Sequence, residues 1–459
     1  MAKVSVIMPS LNVAAYIDEA VESVLRQTLE DIEVICVDAG STDGTWEKLE
    51  GYASSDGRLK LIRSDKKSYG YQMNLGISEA AGDYIGIVET DDYIELDMYE
   101  RLYDAAIETN ADIVKSDFDM FITGDNGQRI YVPYSLRKLN RVKYGRTYSS
   151  EDYMNGTLKP ECYIWNAIYR KGFLTEKDIC FNETPGASFQ DFGFRYQVTY
   201  LADRIVAVDH ICYHYRRDNM NASTYNPMTA EYNLRETEYI LGILKKRFPD
   251  ADRVLEAFAK EVIEYAFWPY FEVLKWSHPA EGTAKAFEGF REIISGFLEK
   301  GYVKEGDIDG GLWLAANLLA DGVETFLGYA RVVSRLDTER ISAYLSRVRE
   351  ASDVIVFGSG LRGNNIYAFL VSNGINSIRA FCDNDTGRQG DSRYGVGIMA
   401  PEEAAGRYAE AIYIITVSLH EQEIREQLEN TGVAEERILS YALPIDPHFC
   451  TNSMMKKRM

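Results

Sequence analysis

The sequence of 459 residues lacks the features that mark membrane-spanning or secreted chains. No run approaches the roughly 20 apolar residues that a membrane-spanning helix needs. The start, MAKVSVIMPSLN, has neither the basic segment nor the long apolar core of a signal peptide. The six cysteines form no CxxC pair and no zinc-like spacing. These absences predict a cytoplasmic protein with reduced cysteines and no membrane span.

Positive charge is also scarce. The chain has 50 Lys and Arg against 71 Asp and Glu, which gives a formal net charge of −21. Nucleic acid and anionic membranes are negatively charged and are not attracted to an acidic surface, so we expect neither as the main partner. The end, MMKKRM, is a small basic tail. We interpret it as a disordered terminus, with peripheral contact at the inner face of the membrane as the alternative.

The first hundred residues alternate between strand-type and helix-type patterns. Apolar runs such as VSVIM (4–8), EVICV (33–37) and YIGIV (84–88) are separated by segments with apolar residues at helical spacing. Strands that alternate with helices predict an α/β fold with a doubly wound, mainly parallel sheet. We place this domain at residues 1–227.

Two further domains are expected, because at roughly 150 residues each the chain is long enough for about three. Long amphipathic patterns predict a helical domain at residues 228–349. The segment DVIVFGSGLRG (353–363) then begins a strand–turn–helix–strand pattern. This pattern predicts a Rossmann-like domain at 350–445, followed by a tail at 446–459. A homodimer through the helical or the C-terminal domain stays open, since the helical faces could equally cover an acceptor groove.

Carboxylates follow two of the predicted strands. Asp38 ends the second strand, and Glu89, Asp91 and Asp92 follow the fourth. The carboxyl ends of parallel strands lie at one edge of a sheet, where open α/β sheets bind their ligands. We therefore expect both acidic groups at the same edge. Taken alone, each could also be a solvated loop with helix-capping acids.

Several ordered motifs carry a family resemblance over about residues 1–225. The stretches VSVIMPSLNVAAYIDEAVESVLRQTLEDIEVICVDAGSTDGT and NLGISEAAGDYIGIVETDDYIELDMYERL resemble the family 2 glycosyltransferases of GT-A fold. The resemblance implies a nucleotide-sugar donor, Mn²⁺ or Mg²⁺ as cofactor, and inversion at the anomeric carbon. A divalent cation held by carboxylates neutralises a diphosphate leaving group, which suits this acidic edge.

The resemblance also assigns donor-site residues. Asp38 would contact a uracil base, and Asp91 and Asp92 would hold the metal. Glu89 replaces the first Asp of the family's Asp-x-Asp motif, and its longer side chain could instead reach the ribose or a water molecule. Two departures are Ala39 in place of a second Asp and Met73 in place of an Arg. The full set of predicted nucleotide or donor contacts is Pro9, Ser10, Asn12, Asp38, Asn74, Glu89, Asp91, Arg216, Arg217 and Ser223.

By the same resemblance Asp191 is the catalytic base, with Gln190 in place of the family's first acid. We expect Asp191 also to be the N-cap of the following helix, which would fix its rotamer. The predicted acceptor-side residues are Trp165, Asn166, Gln190 and His214. Packing in the core is an equal alternative for Trp165 and for His214.

The C-terminal GSGLRG carries a second motif. Gly358, Gly360 and Gly363 follow a strand and open a helix, and Asp383 lies 20 residues beyond Gly363, which is the dinucleotide fingerprint. It leaves three interpretations: a structural or assembly unit, nucleotide-sugar binding, and NAD binding. NAD binding is the least favoured, because no Tyr-x-x-x-Lys pair follows and the unit is about one mononucleotide half in length.

Together these patterns predict a metal-dependent, inverting transferase. It would move a hexose or N-acetylhexosamine from a UDP-sugar to a hydroxyl of a saccharide or lipid-linked saccharide, in bacterial surface polysaccharide or lipid-linked glycan synthesis. An NAD-dependent sugar oxidoreductase or epimerase, and a non-catalytic assembly scaffold, are the competing hypotheses.

Overall fold

The computed structural model describes residues 2–124, 127–159, 161–187, 189–219, 221–223, 226, 228–248, 251–276, 282–417 and 420–440. The predicted tail at 446–459 lies outside them. The chain divides into two compact units. Unit 1 is Met1–Asp119, Tyr134–Tyr215 and Asn221–Arg331, and unit 2 is Met120–Pro133, Arg216–Met220 and Val332–Met459.

The first nine strands, in chain order, are β1 (Val4–Ser10), β2 (Ile32–Asp38), β3 (Leu59–Arg63), β4 (Tyr84–Ile87), β5 (Tyr93–Ile94), β6 (Ile113–Thr123), β7 (Arg129–Tyr134), β8 (Ala167–Arg170) and β9 (Ile205–Arg216). The main sheet has the order β3-β2-β1-β4-β8-β6-β9-β5. The strands β3, β2, β1 and β4 are parallel, whereas β8 is antiparallel to both of its neighbours. Every residue of β1 is buried, as expected for a central strand covered on both faces.

The register of the parallel strands sets the position of the predicted site. Ser10 pairs with Asp38 across β1 and β2, and Ile7 pairs with Ile87 across β1 and β4. The chain therefore leaves these three strands at one edge of the sheet. This is the edge predicted from the sequence for both acidic groups.

The helices up to residue 349 are α1 (Ile17–Leu25), α2 (Thr45–Ser55), α3 (Tyr69–Glu79), α4 (Met98–Thr109), α5 (Leu136–Leu139), α6 (Ser150–Met154), α7 (Lys171–Glu176), α8 (Gln190–Leu201), α9 (Thr229–Arg247), α10 (Ala251–Trp276), α11 (Thr283–Glu299), α12 (Gly310–Asp321) and α13 (Val323–Arg349). In α1 the buried side chains Ile17, Ala20, Val21 and Val24 recur at helical spacing, as the sequence predicts. Among the described residues no helix is long and apolar enough to cross a membrane.

The helices α9 to α12 and the start of α13 share a core with α8. Tyr196 and Tyr200 of α8 belong to the same buried cluster as Phe258, Phe287 and Phe326. A buried ion pair joins Arg195 Nη1 of α8 to Glu261 Oε2 of α10 at 2.6 Å. These helices lie within unit 1, so the predicted boundary at residue 227 does not coincide with the division between the units.

Unit 2 contains the second sheet. Its strands are β10 (Val354–Phe357), β11 (Ile378–Cys382), β12 (Ser392–Arg393), β13 (Val396–Met399), β14 (Ile412–Ile415) and β15 (Ile438–Ser440), and its further helices are α14 (Leu361–Ser372), α15 (Pro401–Arg407) and α16 (Glu421–Asn430). The order is β12-β13-β11-β10-β14-β15, with an antiparallel pair only at β12 and β13 among the described pairings. The predicted fold class, α/β with a helical region and a second small sheet, is confirmed.

A hairpin from the first half of the chain also belongs to unit 2. Ile122 of β6 and Ile130 and Val132 of β7 lie in one buried cluster with Val354 and Phe381. The Tyr394 hydroxyl donates to the Tyr131 carbonyl oxygen. Nothing in the sequence predicted that these residues join the C-terminal sheet.

Gly86 in the centre of β4 should not tolerate a side chain. A Cβ at this position would lie 2.6 Å from Tyr99 Cε1 and 2.7 Å from the Tyr99 hydroxyl, within the buried core. We expect Gly86→Ala to destabilise the protein by about 1–3 kcal/mol through overpacking. Gly51→Ala in α2 is the matched control, because a Cβ there meets nothing within 4 Å and should raise stability by about 0.5–1 kcal/mol. Thermal unfolding of the full chain compares the two, and equal midpoints would contradict the prediction.

Candidate active site

The loops after β1 and β2 are bonded to each other. The Asn12 N–H donates to Ser41 Oγ at 2.8 Å, and Asn12 Oδ1 accepts from the Thr42 N–H at 2.9 Å. The Ala14 N–H donates to Asp43 Oδ2 at 2.9 Å. Asn12 has a φ of 55°, a left-handed conformation that Asn adopts more readily than most residues. The two loops thus form one surface beside the ends of their strands.

Asp38 is fully buried at the end of β2 and shapes the loop that follows it. Its Oδ1 accepts from the N–H groups of Gly40 at 2.9 Å and Ser41 at 3.0 Å, and its Oδ2 accepts from Ser41 Oγ at 2.5 Å. An ionised carboxylate accepts about four hydrogen bonds, so three of these sites are used within the loop. The contact of Asp38 with a base stays a prediction.

Gln72 of α3 connects the ends of β1 and β2. Its Nε2 donates to the carbonyl oxygens of Ser10 at 3.0 Å and Val37 at 2.6 Å, and the residue is 4% exposed. The carbonyl oxygen of Pro9, the residue before Ser10, accepts from Thr90 Oγ1 at 2.8 Å. This hydrogen bond connects β1 to the turn after β4. Sequence reasoning missed Gln72, because no motif marks a buried amide whose partners are backbone groups.

The acidic turn after β4 is held by two tyrosines. The Tyr69 hydroxyl donates to Glu89 Oε1 at 2.7 Å. The Tyr213 hydroxyl donates to Asp92 Oδ2 at 2.8 Å and accepts from the Glu89 N–H at 3.1 Å. Asp92 is 1% exposed, whereas Asp91 is half-buried. Burial raises the pKa of Glu89 to about 8, against the hydrogen bond from Tyr69 and with added repulsion from Asp91 and Asp191.

The oxygen ligands of this turn fit a divalent cation that is shared with a substrate. No group of three or more His, Cys, Asp or Glu side chains in the described part of the chain could hold a metal ion by itself. Mg²⁺, however, is usually held by one or two carboxylates together with phosphate oxygens and water. Asp91 and Asp92 supply that number of carboxylates.

Asp191 is the second residue of α8 rather than its N-cap, which corrects the sequence expectation. The helix begins at Gln190, and the N-cap is Phe189, whose φ of 64° is left-handed and uncommon for a bulky residue. Burial raises the pKa of Asp191 to about 6, although the Phe192 amide donates to the carboxylate and Arg195 attracts it. Its charge in turn raises the pKa of Glu89 and of Tyr69. Tyr69 connects the two regions, because its hydroxyl donates to Glu89 and its N–H donates to the Gly186 carbonyl oxygen at 3.0 Å, which Gln190 also binds.

Residues 181–186 precede Asp191, and two predicted site residues bind this segment. Asn74 donates from Nδ2 to the Phe181 carbonyl oxygen and accepts from the Phe181 N–H, both at 2.9 Å. Gln190 donates from Nε2 to the carbonyl oxygens of Thr184 and Gly186, both at 3.0 Å. Both side chains therefore support the segment, and their contacts with donor and acceptor stay predictions.

The remaining acceptor-side residues lie in buried surroundings. Trp165 is 5% exposed and stacks on Tyr213 with ring centroids 4.1 Å apart, which is the core packing that the sequence left as an alternative. Asn166 is fully buried and donates from Nδ2 to the Ser116 carbonyl oxygen at 2.7 Å. Contact of either side chain with an acceptor sugar stays a prediction.

His214 lies beside an open acidic cavity. Its Nδ1 is 2.7 Å from Asp119 Oδ1, and its Nε2 is 2.9 Å from Glu95 Oε1. Burial alone would lower the pKa of His214, but the bonds and charges of these two carboxylates outweigh it and raise the pKa. The cavity has a volume of about 850 Å³ and is lined by Glu95, Leu96, Asp97, Asp117, Asp119, Asp209, His210, Ile211 and His214.

The predicted diphosphate contacts are placed as follows. In unit 2, the Arg216 guanidinium lies 4.6 Å from the Phe121 ring centroid and 3.5 Å from Asp218 Oδ1, and Arg217 is buried. Ser223 is exposed in unit 1, and its carbonyl oxygen accepts from the Asn226 N–H at 3.0 Å. Contact of these residues with a diphosphate stays a prediction.

The C-terminal fingerprint has the expected backbone conformation, but its acidic residue, Asp383, is hydrogen-bonded to the glycine-rich loop. Gly358 has a φ of 100°, and a Cβ on Gly363 would collide with the Gly358 carbonyl oxygen, so both glycines are required. Asp383 Oδ2 accepts from the Ser359 N–H at 2.9 Å and from Ser359 Oγ at 2.6 Å. In dinucleotide-binding units this acid binds a ribose hydroxyl. In this chain Asp383 instead accepts hydrogen bonds from Ser359 of the glycine-rich loop.

Two family models match separate parts of the chain. Residues 5–176 match the family described as Glycosyl transferase family 2. Residues 350–439 match the family described as C2185-like, N-terminal.

Particular relatives and structures agree with this class. The uncharacterized glycosyltransferase EpsJ of Bacillus subtilis is 33% identical over 50% of this chain, which spans 66% of EpsJ, just under two thirds. Glycosyltransferase GlyG of Streptococcus pneumoniae is 29% identical over 54% of this chain and 80% of GlyG. The structure of S. aureus TarS 1–349 in complex with UDP matches 73% of this chain and 91% of that one, with a TM-score of 0.54 and 20% identity. The likeness to TarS concerns the fold.

Removal of the Tyr213 hydroxyl tests the support of the acidic turn. Tyr213→Phe deletes the donor to Asp92 and the acceptor of the Glu89 N–H in a buried setting, so we expect a loss of about 1–3 kcal/mol of stability. Tyr52→Phe is the control, since its half-exposed hydroxyl bonds to the surface carboxylates Asp18 and Glu22. A difference of less than 0.5 kcal/mol between the variants in denaturant unfolding would argue against this support.

Proposed function

We propose that this protein is a metal-dependent, inverting glycosyltransferase that uses a UDP-sugar donor. It transfers a hexose or N-acetylhexosamine to a hydroxyl of a saccharide or lipid-linked saccharide. The family 2 domain supports glycosyl transfer. The choice of donor draws support from TarS, which shares the fold and has been solved with UDP and with UDP-GlcNAc. A cholesterol galactosyltransferase of Borreliella burgdorferi, 26% identical over 60% of this chain, is a relative whose name includes hexose transfer.

The observation that carries the proposal is the meeting of three distant segments. The Asp38 loop, the turn at Glu89 to Asp92 and the start of α8 lie more than 40 residues apart in the chain. The pairing of β1 with β2 and β4 brings the first two to one sheet edge. Tyr69 connects the third segment to the turn, because its N–H donates to the Gly186 carbonyl oxygen at 3.0 Å and its hydroxyl donates to Glu89 Oε1 at 2.7 Å. A donor site and a base beside each other are what a single displacement needs.

Asp191 has the environment of a general base. With a pKa of about 6, it is ionised at neutral pH and more basic than an exposed Asp. A base near the working pH combines the required ionised state with a useful proton affinity. In our proposal Asp191 accepts the proton of the acceptor hydroxyl as that oxygen attacks the anomeric carbon and the bond to the diphosphate breaks.

The acidic turn would hold the donor's cation. Mn²⁺ or Mg²⁺, when bound, neutralises charge on the diphosphate leaving group. Asp91 and Asp92 are the proposed ligands, and the bond from Tyr213 fixes the orientation of Asp92. The surface formed by the loops of Asn12 and Asp38 would bind the uridine.

The proposed setting is the synthesis of bacterial surface polysaccharide or lipid-linked glycan. Several relatives named as glycosyltransferases come from bacteria. We place the protein in the cytoplasm, with peripheral contact at the inner membrane face, where a nucleotide-sugar donor and a lipid-linked acceptor meet.

Donor binding should depend on the cation. We expect UDP to bind in calorimetry with Mn²⁺ and at least tenfold more weakly in EDTA, because both the carboxylates and the diphosphate are anionic. Asp91→Asn should reduce the affinity for Mn²⁺ and UDP, whereas Asp104→Asn, an exposed position on α4, should not. Failure of UDP to bind with Mn²⁺ present would contradict the donor assignment. Binding of NAD alone would favour the oxidoreductase hypothesis.

Asp191 should control turnover without controlling donor affinity. We expect Asp191→Asn to lower kcat by about 10²-fold or more, while the Kd of UDP stays within a few fold. In the wild type kcat/KM should fall as pH drops below about 6, since protonation of Asp191 removes the base. Asp203→Asn, exposed just after α8, is the control. Unchanged turnover in Asp191→Asn would exclude the role.

A further inference from the structure

Glu236 of α9 is a buried carboxyl beside the helix that carries Asp191. It is 1% exposed, and its Oε1 accepts from Asn182 Nδ2 at 2.7 Å. Asn182 belongs to the segment at 181–186, which Asn74 and Gln190 also bind. The sequence indicated only an amphipathic helix here and gave Glu236 no role.

The second oxygen of Glu236 lies against the first turn of α8. A Cβ on Gly193 would be 2.6 Å from Glu236 Oε2, so the absence of a side chain at Gly193 makes room for the carboxyl. Gly193 is two residues after Asp191. One side chain therefore contacts both the segment before the base and the turn that contains it.

Glu236 also borders a small internal cavity of about 20 Å³, enough for one water molecule. Within the described residues, Glu236 Oε2 and the buried Asn233 Nδ2 have no hydrogen-bond partner. Both atoms belong to residues that line this cavity, together with Phe192, Tyr196, Thr237, Ile240, Phe258 and Val262. A neutral carboxyl suits this mostly apolar wall, whereas an ionised one would lack a compensating cation.

We propose that Glu236, in its neutral form, is a positioning residue for Asp191, and that it holds the 181–186 segment against the first turn of α8. The proposal rests on the assignment of Asp191 as the base. It adds a dependence of the active site on α9, which lies outside the region of the family 2 match. When Glu236 ionises, its buried negative charge lies near the ionised Asp191 and disfavours this arrangement.

Electrostatics agrees with the geometry. Burial raises the pKa of Glu236 to about 8, against the bond from Asn182 and with added repulsion from Asp191. The other titratable groups that face it are Tyr196 on α8 and Tyr239 on α9, and burial raises the pKa of both above the ordinary range. The cavity wall from α10 is apolar. Between pH 7 and 9, Glu236 is therefore the group around this cavity that changes charge.

Thermal unfolding of Glu236→Gln tests whether the carboxyl is neutral. An acid whose pKa is raised in the folded state loses stability as pH rises from its unfolded pKa, roughly 4.3, to its folded pKa. Gln imitates the protonated acid, so its Tm should exceed that of the wild type at pH 9 and approach it at pH 5. The exposed Glu238→Gln on the same helix should show no such trend. Equal differences at both pH values would overturn the proposal.

Turnover and hydrogen exchange test the positioning role. Wild-type kcat should decline above about pH 8, where Glu89 ionises as well, and Glu236→Gln should reduce the size of this decline. Glu236→Ala should lower kcat by about tenfold or more at every pH and speed amide exchange at 181–186, with an unchanged Kd for UDP. Asn182→Ala removes the donor of the same hydrogen bond and should reproduce both effects. This second variant keeps the test available if Glu236→Ala does not fold.

The outcomes separate this proposal from the proposed function. If the wild type neither binds UDP nor turns over, the transferase assignment fails, while the Tm and exchange measurements still report on Glu236. If the wild type is active but the alkaline decline is as large in Glu236→Gln as in the wild type, or exchange at 181–186 is unchanged in Glu236→Ala and Asn182→Ala, Glu236 has no positioning role.

Discussion

One buried nitrogen fixes the edge on which the candidate site is built. Gln72 Nε2 donates hydrogen bonds to the carbonyl oxygens of Ser10 and Val37, which lie at the ends of β1 and β2. A buried amide is stable only when its polar atoms are paired, so this bond fixes α3 relative to both strands. The loops that leave these strands bond to each other in turn. The Asp38 loop therefore has one arrangement relative to β1.

The proposed base belongs to a second layer built on that edge. Asp191 starts α8, and the segment before it is bonded by Asn74 from α3, Gln190 from α8 and, through Asn182, Glu236 from α9. Three elements thus converge on six residues. Asn74 and Gln190, which sequence reasoning assigned to substrates, also support the segment before the proposed base, and precise placement of a catalytic group requires such support.

Local patterns predicted much of this arrangement, and their limits are physical. Alternating apolar runs identified the strands β1 to β4, and parallel pairing followed from the alternation with helices, so the acidic edge was predictable. The place of Ile130 in the C-terminal core was not, because a contact across more than 200 residues leaves no local signal. Gln72 and Glu236 were missed for a related reason: periodicity separates buried from exposed positions but does not name the partner of a buried polar group.

The two aspartates of the acidic turn differ in burial and in hydrogen bonding. Asp92 is almost fully buried and accepts from Tyr213, whereas Asp91 is half-buried. A carboxylate fixed by a phenol has less freedom to adjust to a ligand, but it holds its neighbour and the turn in place. Of the two proposed cation ligands, Asp91 is therefore the one that can adjust its position to the cation, and Asp92 is the one whose orientation is fixed. Glu89, bonded to Tyr69 and repelled by Asp191, links this turn to the base.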